Sequence, residues 1–287
     1  MYDINLKAPA KINLSLDVLN KREDGYHNVK MVMQQITLYD EIFMRKIEKG
    51  ITLTTDCGFL PTDISNIAYK AADSMFEKYN INSGIHIDIK KNIPIAAGLA
   101  GGSSDAASVI KGINSLFDLN LSIEEMMEIG TPIGADVPFC ILGDGALAEG
   151  IGEKLSPIKG LRSGWIVLSK PNICVSTAEA YSNLNLDHIE DRPNTDLLLK
   201  SLEIDNLYNI ANNLNNVFEV GIFKKHPIVK IIKEKMLEYG ALGSLMSGSG
   251  PSVYGIFKDY NKAKSAYEKL RLLYNQTFLV RSYNGRQ

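Results

Sequence analysis

The sequence has few of the residues that build disulfide frameworks or metal centres. It contains only three cysteines, Cys57, Cys140 and Cys174, which are widely spaced and form no CxxC pair. Its four histidines show no spacing that is typical of metal ligands. We therefore expect reduced, structural cysteines, as in a cytoplasmic protein.

The charge and hydropathy patterns lack the signals of nucleic-acid and membrane binding. The net charge is −2, and the lysines and arginines form no stripe with interleaved aromatic residues. No apolar run approaches the length that spans a membrane, and the N-terminal segment has no apolar core of the signal-peptide type. These patterns exclude nucleic acid and membranes as expected partners.

The overall composition is that of an ordinary globular protein. Its 287 residues, 45% hydrophobic and 22% charged, suit two domains of common size. Turn-forming residues cluster over 156–164, so we expect an N-terminal domain over residues 1–158 and a C-terminal domain over 159–287. Helices and strands are mixed without strict βαβ alternation, which predicts the α+β class.

A glycine-rich stretch at residues 94–107 reads Pro-Ile-Ala-Ala-Gly-Leu-Ala-Gly-Gly-Ser-Ser-Asp-Ala-Ala. An alternating run at 85–90 predicts a strand before it, and an apolar periodicity over 106–117 predicts a helix after it. Glycines let the backbone approach an anion closely, and a helix start offers unpaired N–H groups. Ser103 and Ser104 add hydroxyls for phosphate or magnesium. This context favours a phosphate site, although a glycine-rich run alone is as often a flexible helix entry.

The stretch matches neither of the common nucleotide-binding fingerprints. No Lys-Ser/Thr pair follows the glycines, as a P-loop requires, and the glycine spacing does not fit the dinucleotide motif.

Two further segments carry polar groups in conspicuous places. Residues 10–19 alternate, so Lys11 and Asn13 project side by side from the polar face of a strand. From this strand alone we expect a solvated edge. Asp136 stands between small residues and a proline, before an apolar run that predicts a strand over 139–142. An isolated aspartate of this kind is most often a cap or a turn residue.

The remaining periodicities predict elements along the rest of the chain. Helices are predicted over residues 66–79, 122–130, 197–202, 207–218, 227–239 and 261–273, and around Tyr181 after a cap at Ser176 or Thr177. Strands are predicted over residues 38–44, 51–55, 165–168 and 277–282, and on both sides of a glycine-rich turn at 247–251. The helix over 227–239 is expected to bury Ile228, Ile231, Ile232 and Met236.

Four stretches, in order along the chain, resemble the motifs of the GHMP kinases. They are Ala8-Pro-Ala-Lys-Ile-Asn-Leu14, the glycine-rich stretch at 94–107, Gly134-Ala-Asp-Val-Pro-Phe139 and Met246-Ser-Gly-Ser-Gly-Pro-Ser252. Asp24-Gly-Tyr-His27 is similar in particular to the members of non-mevalonate isoprenoid biosynthesis, whose substrate is an alcohol with a cytidine diphosphate moiety. The match extends over nearly the whole chain.

The resemblance implies an ATP-dependent kinase with a two-domain GHMP-kinase-like fold and its active site in the cleft between the domains. It implies a catalytic pair, Lys11 and Asp136, and Mg²⁺ as a cofactor with Ser104 as a candidate ligand. The implied ATP triphosphate loop consists of Pro94, Ile95, Ala96, Ala97, Gly98, Leu99, Ala100, Gly101, Gly102, Ser103 and Ser104.

The resemblance also implies a substrate side. Asn13 lines it, His27 contacts the cytosine edge, and Tyr26 and Tyr181 sandwich the cytosine ring. Gly248 and Gly250 shape a loop near the substrate's phosphates. The expected assembly is a monomer or a weak homodimer.

Two positions depart from the pattern of the family, and two alternatives stay open. Ala100 and Asn20 stand where these kinases mostly or commonly carry glycine, and we expect Ala100 to adopt dihedrals that an L-residue tolerates. Another GHMP kinase, such as one of the mevalonate pathway, is the alternative within the family. A catalytically inactive nucleotide-binding or regulatory protein is the alternative outside it.

Overall fold

A computed structural model of the protein describes residues 2–285, and the chain divides into two compact units. The first unit comprises the residues up to Ala10, Leu38–Ile93 and Ala100–Gly143. The second comprises Lys11–Thr37, Pro94–Leu99 and the residues from Asp144 onward. Strands β1 (Ile4–Lys21) and β2 (His27–Ile47) contribute residues to both.

In the first unit, helices pack beside a small mixed sheet. Strand β3 (Gly50–Thr55) runs parallel to β4 (Gly84–Lys90), and β4 is antiparallel to the second half of β2. The helices of this unit are α1 (Ile67–Lys78), α2 (Gly101–Leu116), α3 (Ile123–Gly130) and α4 (Val137–Leu142). Helix α2 packs against α1 and α4, which fixes its first turn directly after the glycine-rich loop.

In the second unit, β5 (Gly145–Glu149) pairs with the first half of β2, and β6 (Lys154–Ile158) pairs with β5. The remaining strands are β7 (Trp165–Lys170), β8 (Asn215–Asn216), β9 (Gly243–Met246), β10 (Val253–Phe257) and β11 (Gln276–Val280). A four-stranded antiparallel sheet has the order β11-β7-β10-β9, and the two-residue strand β8 pairs with β1.

Helices and a buried apolar cluster complete the second unit. The helices are α5 (Thr177–Ser182), α6 (Thr195–Glu203), α7 (Leu207–Asn212), α8 (Glu219–Lys225), α9 (Pro227–Glu238) and α10 (Tyr260–Arg271), with a 3₁₀ turn at Leu186–His188. Phe218, Ile232, Met236 and Phe257 are buried in this cluster. None of the helices within residues 2–285 combines the length and apolar character that a membrane crossing needs.

The α+β class is confirmed, and three local predictions are wrong. Residues 139–142 belong to helix α4 rather than to a strand, because Pro138 suits a first helical turn and a short apolar run has no decisive period. The helix predicted over 207–218 ends at Asn212, where an asparagine-rich segment leads into β8. In α9, Val229 is buried and Ile231 is 42% exposed, so the apolar face is rotated. The domain boundary at 158/159 stays a prediction.

Candidate active site

The polar side of strand β1 is buried in the second unit. Lys11 and Asn13 are 4% and 0% exposed, so the prediction of a solvated edge is wrong. Lys11 Nζ donates to Asn13 Oδ1 at 2.8 Å, and the hydroxyl of Tyr254 donates to the Asn13 carbonyl oxygen at 2.9 Å. Alternation along a strand separates two faces but does not say what covers the polar one. The burial places an ammonium group and an amide in a defined, water-poor position.

The first part of the glycine-rich loop lies directly against this strand. The Lys11 backbone N–H donates to the Leu99 carbonyl oxygen at 3.0 Å. Ser247 Oγ donates to the Gly98 carbonyl oxygen at 3.0 Å. Gly98 has a φ of +71°, and a β-carbon added there would lie 2.2 Å from the Ser247 carbonyl oxygen. Only glycine fits this close contact between two loops.

The second glycine-rich loop reaches the ammonium group of Lys11. A β-carbon added at Gly248, whose φ is +56°, would lie 3.4 Å from Lys11 Nζ. The buried amide of Asn216 holds this loop, because its Nδ2 donates to the carbonyl oxygens of Met246 and Gly248 at 2.8 and 2.9 Å. Sequence reasoning missed Asn216, since nothing in its local pattern distinguishes it from its neighbouring asparagines. Within the second unit, the structure thus brings Lys11 and Asn13 together with Gly98 and Gly248.

The second part of the loop forms the start of helix α2 in the first unit. Its N-cap residue, Ala100, has φ 55° and ψ 31° and provides no side-chain cap, and Ala96 also has a positive φ of 50°. As expected, these are dihedrals that an L-residue tolerates, although the left-handed region costs about 1–2 kcal/mol outside glycine. The first turn of α2 therefore begins without a capping side chain, which suits anion binding.

Ser104 is buried one turn into α2, where its hydroxyl donates to the Pro9 carbonyl oxygen at 2.8 Å. Within residues 2–285, no group of three or more histidine, cysteine or acidic side chains could hold a metal ion. Magnesium at phosphoryl-transfer sites often keeps several waters and is bound mainly through substrate phosphates with one or two protein ligands. The Ser104 hydroxyl is one oxygen ligand of the kind that such a site uses.

Asp136 occupies the N-cap position of helix α4, as an isolated aspartate often does, yet its side chain makes no capping hydrogen bond. It is half-buried. The segment that carries it lies beside the start of α2, since a β-carbon added at Gly134 would lie 3.8 Å from Ser103 Oγ. Within the first unit, the acidic segment and the serines of the loop are therefore neighbours.

An aromatic pair marks a second region of the second unit. The rings of His27 and Tyr181 stack with centroids 4.7 Å apart, and Phe218 meets the Tyr181 ring edge-on. Beside the stack is a pocket of about 620 Å³, lined also by Lys21, Ser182, Leu184, Asn185 and Leu186. The structure pairs Tyr181 with His27, and Tyr26 is 62% exposed.

Helix α5, which carries Tyr181, is held by contacts of Glu179 with Lys225 and His226. Ser176, one of the two predicted caps, caps it. Glu179 Oε1 lies 2.9 Å from Lys225 Nζ and 2.8 Å from His226 Nε2. Hydrogen bonds from Lys225 and His226 lower the pKa of Glu179 to about 2. The folded state therefore keeps this carboxylate ionised more easily than the unfolded chain does.

We expect Glu179→Gln to lower the melting temperature at neutral pH and to have less effect as the pH falls. The contribution of a carboxylate with a lowered folded-state pKa is present above its unfolded pKa and is lost as the pH falls toward about 2. Melting curves of both proteins from pH 7 to pH 3 measure the difference. Equal melting temperatures at pH 7 would show that this contact does not hold α5.

Two family profiles match the sequence of the chain. Residues 66–144 match the family profile of the GHMP kinases N terminal domain, and residues 198–276 match that of the GHMP kinases C terminal domain. The chain therefore belongs to the GHMP kinase family.

Several curated relatives and solved structures are similar to the chain over nearly its whole length. The chain is 56% identical over 287 residues to a 4-diphosphocytidyl-2-C-methyl-D-erythritol kinase from Alkaliphilus oremlandii, covering 99% of this chain and 98% of that protein. It is 54% identical to the enzyme of the same name from Acetivibrio thermocellus, covering 94% and 96%. A crystal structure of 4-(cytidine 5'-diphospho)-2C-methyl-D-erythritol kinase superposes with a TM-score of 0.86 at 30% identity, covering 98% and 100%. A homoserine kinase from Cytophaga hutchinsonii, at 19% identity and a TM-score of 0.78, shares the fold.

Proposed function

We propose that the protein transfers the γ-phosphoryl group of ATP to the 2-hydroxyl of 4-diphosphocytidyl-2-C-methyl-D-erythritol, giving the 2-phosphate and ADP. This reaction belongs to the non-mevalonate, methylerythritol phosphate route to isoprenoid precursors. The observation that carries the proposal is the 56% identity, over 99% of the chain, to a protein named as the kinase of this alcohol. The geometry of the loops and of the aromatic pair supports it.

The nucleotide is proposed to bind along residues 94–104. The chain there turns through positive φ angles at Ala96, Gly98 and Ala100 and enters α2 without a side-chain cap. Successive backbone N–H groups at such a helix start attract the negative oxygens of a phosphate chain. Close packing of Gly98 against the Ser247 loop keeps this part of the backbone in one conformation.

Lys11 and Asp136 are proposed to be the catalytic pair. The pKa of an alcohol, near that of water, lies roughly 12 units above that of a free aspartic acid, about 3.9. A gap of roughly 12 units at 1.36 kcal/mol each is on the order of 16 kcal/mol, too much for a free alkoxide. Asp136 would therefore orient the hydroxyl and accept its proton late, as the phosphoryl group moves. Lys11 would offset the charge of the transferred group, since a loose transition state needs charge neutralisation more than a strong base.

Magnesium is proposed to bind with the nucleotide. Ser104 is its proposed protein ligand: its hydroxyl donates to the Pro9 carbonyl oxygen, and a hydroxyl oxygen has two lone pairs that can bind a cation. When bound, the ion would neutralise charge on the β- and γ-phosphates. The ion would also orient the nucleotide, and the proton of the alcohol would be accepted by Asp136.

The cytosine ring is proposed to take the place that His27 now holds against Tyr181. Stacked rings lie about 4.5–7 Å apart between centroids, so a 4.7 Å pair has no room for a base between its members. The base would displace the imidazole, which then turns to contact its edge, while the exposed Tyr26 closes the other face. Lys21, on the wall of the same pocket, offers a cation to the diphosphate. Asn13, Gly248 and Gly250 would contact the reacting end of the substrate.

We expect His27→Ala to raise the KM for the cytidine-containing substrate about tenfold or more while the KM for ATP stays near its wild-type value, since a lost hydrogen bond to a buried partner costs about 1–3 kcal/mol. Steady-state kinetics with each substrate varied in turn measure both constants. His86→Ala, a half-buried histidine of the first unit, is the matched control and should change neither. Equal increases in both constants would contradict the cytosine assignment.

The function is tested by ATP consumption across a panel of alcohols, with and without the cytidine diphosphate moiety. We expect turnover with 4-diphosphocytidyl-2-C-methyl-D-erythritol and little with 2-C-methyl-D-erythritol 4-phosphate. Turnover with mevalonate or phosphomevalonate would place the protein elsewhere in the family. No turnover with any alcohol, together with tight ADP binding, would indicate a nucleotide-binding regulator.

We propose a cytoplasmic location, which the small number and wide spacing of the cysteines Cys57, Cys140 and Cys174 support. The proposed assembly is a monomer or a weak homodimer.

A further inference from the structure

Three charged side chains are buried together in the first unit, and the proposed mechanism uses none of them. Lys91 Nζ donates to Asp105 Oδ2 at 2.7 Å and to Asp40 Oδ2. The side chains of Lys91, Asp105 and Asp40 are 7%, 4% and 0% exposed. We call these three residues the Lys91 triad.

The triad holds the chain on both sides of the glycine-rich loop. On the entering side, Asp40 Oδ1 accepts hydrogen bonds from the backbone N–H groups of Asn92 and Ile93, at 2.6 and 2.8 Å, directly before Pro94. On the leaving side, Asp105 belongs to the first turns of α2, directly after Ser104. Lys91 joins the two carboxylates, so one ammonium group links the entry and the exit of the loop.

The ammonium group also lies close to the loop itself. A β-carbon added at Gly101, the first residue of α2, would lie 3.5 Å from Lys91 Nζ. The N-terminal turn of α2, with its unpaired N–H groups, therefore begins beside the triad. A shift of Lys91 would move both the strand end at 92–93 and the helix start.

Burying charged groups costs free energy, so stabilisation of the fold alone does not explain the triad. Buried ions lose hydration, and apolar side chains of similar size often stabilise a protein equally well or better. Among residues 2–285, Asp105 Oδ1 is buried and has no hydrogen-bond partner. Burial raises the pKa of Asp105 well above the usual carboxyl range, and the nearby Asp40 adds to the increase while Lys91 opposes it.

We propose that the Lys91 triad is a positioning device that fixes the separation of the two ends of the phosphate loop. It keeps the N–H groups of the loop in the conformation that receives a nucleoside di- or triphosphate. This inference rests on the proposed nucleotide-binding function of residues 94–104. The three residues act through the backbone and need not touch the nucleotide.

Two sets of variants test the triad. Asp105→Leu removes the link to α2 and leaves the Lys91–Asp40 pair neutral, whereas Asp105→Asn keeps an acceptor for Lys91. The double variant Lys91→Met with Asp40→Asn removes the link from the other side and retains an acceptor for the N–H groups of 92–93. Arg162→Met is the control, since it breaks a partly buried ion pair with Asp144 in the second unit.

Calorimetric titration of each folded protein with ADP and magnesium, together with steady-state kinetics and melting curves, gives the decisive readouts. We expect Asp105→Leu and the double variant to weaken ADP binding and raise the KM for ATP about 10- to 100-fold, because small misplacements of binding groups have effects of this size. The KM for the alcohol should stay close to wild type. Asp105→Asn should restore most of the affinity, and Arg162→Met should lower only the melting temperature.

The outcomes separate this inference from the function on which it rests. If wild-type protein binds ADP and both triad variants bind it equally well, the triad only stabilises the fold and the inference is wrong. If the wild-type protein itself does not bind ADP, the nucleotide-binding function fails and takes the inference with it. Should Asp105→Leu not fold, the double variant decides by the same criterion.

Discussion

Replacing Asp136 with asparagine is expected to lower kcat about 100- to 10,000-fold, the range that general acid–base groups contribute. The amide has nearly the shape of the carboxylate but cannot accept the hydroxyl proton of the alcohol as the phosphoryl group moves. Because Asp136 does not cap α4 through its side chain, the helix loses no hydrogen bond at its start. The KM for ATP should therefore stay close to its wild-type value.

Initial-rate kinetics with both substrates saturating measure this effect. Asp73→Asn is the matched control, since Asp73 is an exposed aspartate on α1 in the same unit. We expect the control to turn over like the wild type. An Asp136→Asn enzyme with near-normal kcat would remove the acid–base role and leave catalysis to charge neutralisation alone.

Replacing Gly98 with alanine is expected to destabilise the protein by on the order of 2–5 kcal/mol, combining left-handed strain with overpacking. The new methyl group would lie 2.2 Å from the Ser247 carbonyl oxygen, a backbone atom that cannot rotate away. The contact can be relieved only if the two glycine loops separate. Such a separation would also displace the Leu99 carbonyl from the Lys11 N–H, so we expect the KM for ATP to rise as well.

Urea denaturation and ATP kinetics measure the two consequences of this substitution. Gly50→Ala is the matched control, because Gly50 has a similar φ of +80° and no atom lies within 4 Å of an added β-carbon. The control should show the strain of the left-handed backbone without the overpacking. If both variants lose the same stability and bind ATP alike, the loop contact at Gly98 does not matter.

Much of the fold follows from local patterns in the sequence. The capping box at Ser122 and Glu125 marks the start of α3, and the Ser176 cap marks α5. The errors lie where local signals are ambiguous. The run before Gly143 is too short for its period to distinguish a helix from a strand, and α9 is rotated because tertiary packing selects Val229 over Ile231.

The residues of the candidate site, like the elements of the fold, were only partly predictable from the sequence. The glycine-rich loop, Lys11 and Asp136 are visible as residue types in a particular order, and the structure gives each a defined environment. What the sequence could not supply are the partners that lie far away along the chain. Asn216 holds the Gly248 loop across 32 positions, and Asp40 reaches the chain before Pro94 across more than 50. Contacts of this kind depend on the tertiary fold and leave no short-range pattern.

The central claim is tested most directly by the structure of the product. After incubation of the protein with ATP, magnesium and 4-diphosphocytidyl-2-C-methyl-D-erythritol, phosphorus NMR and mass spectrometry locate the transferred group. We predict one new phosphate monoester on the 2-hydroxyl, formed in equal amount with ADP. Unchanged alcohol, or ADP accompanied only by inorganic phosphate, would contradict the account.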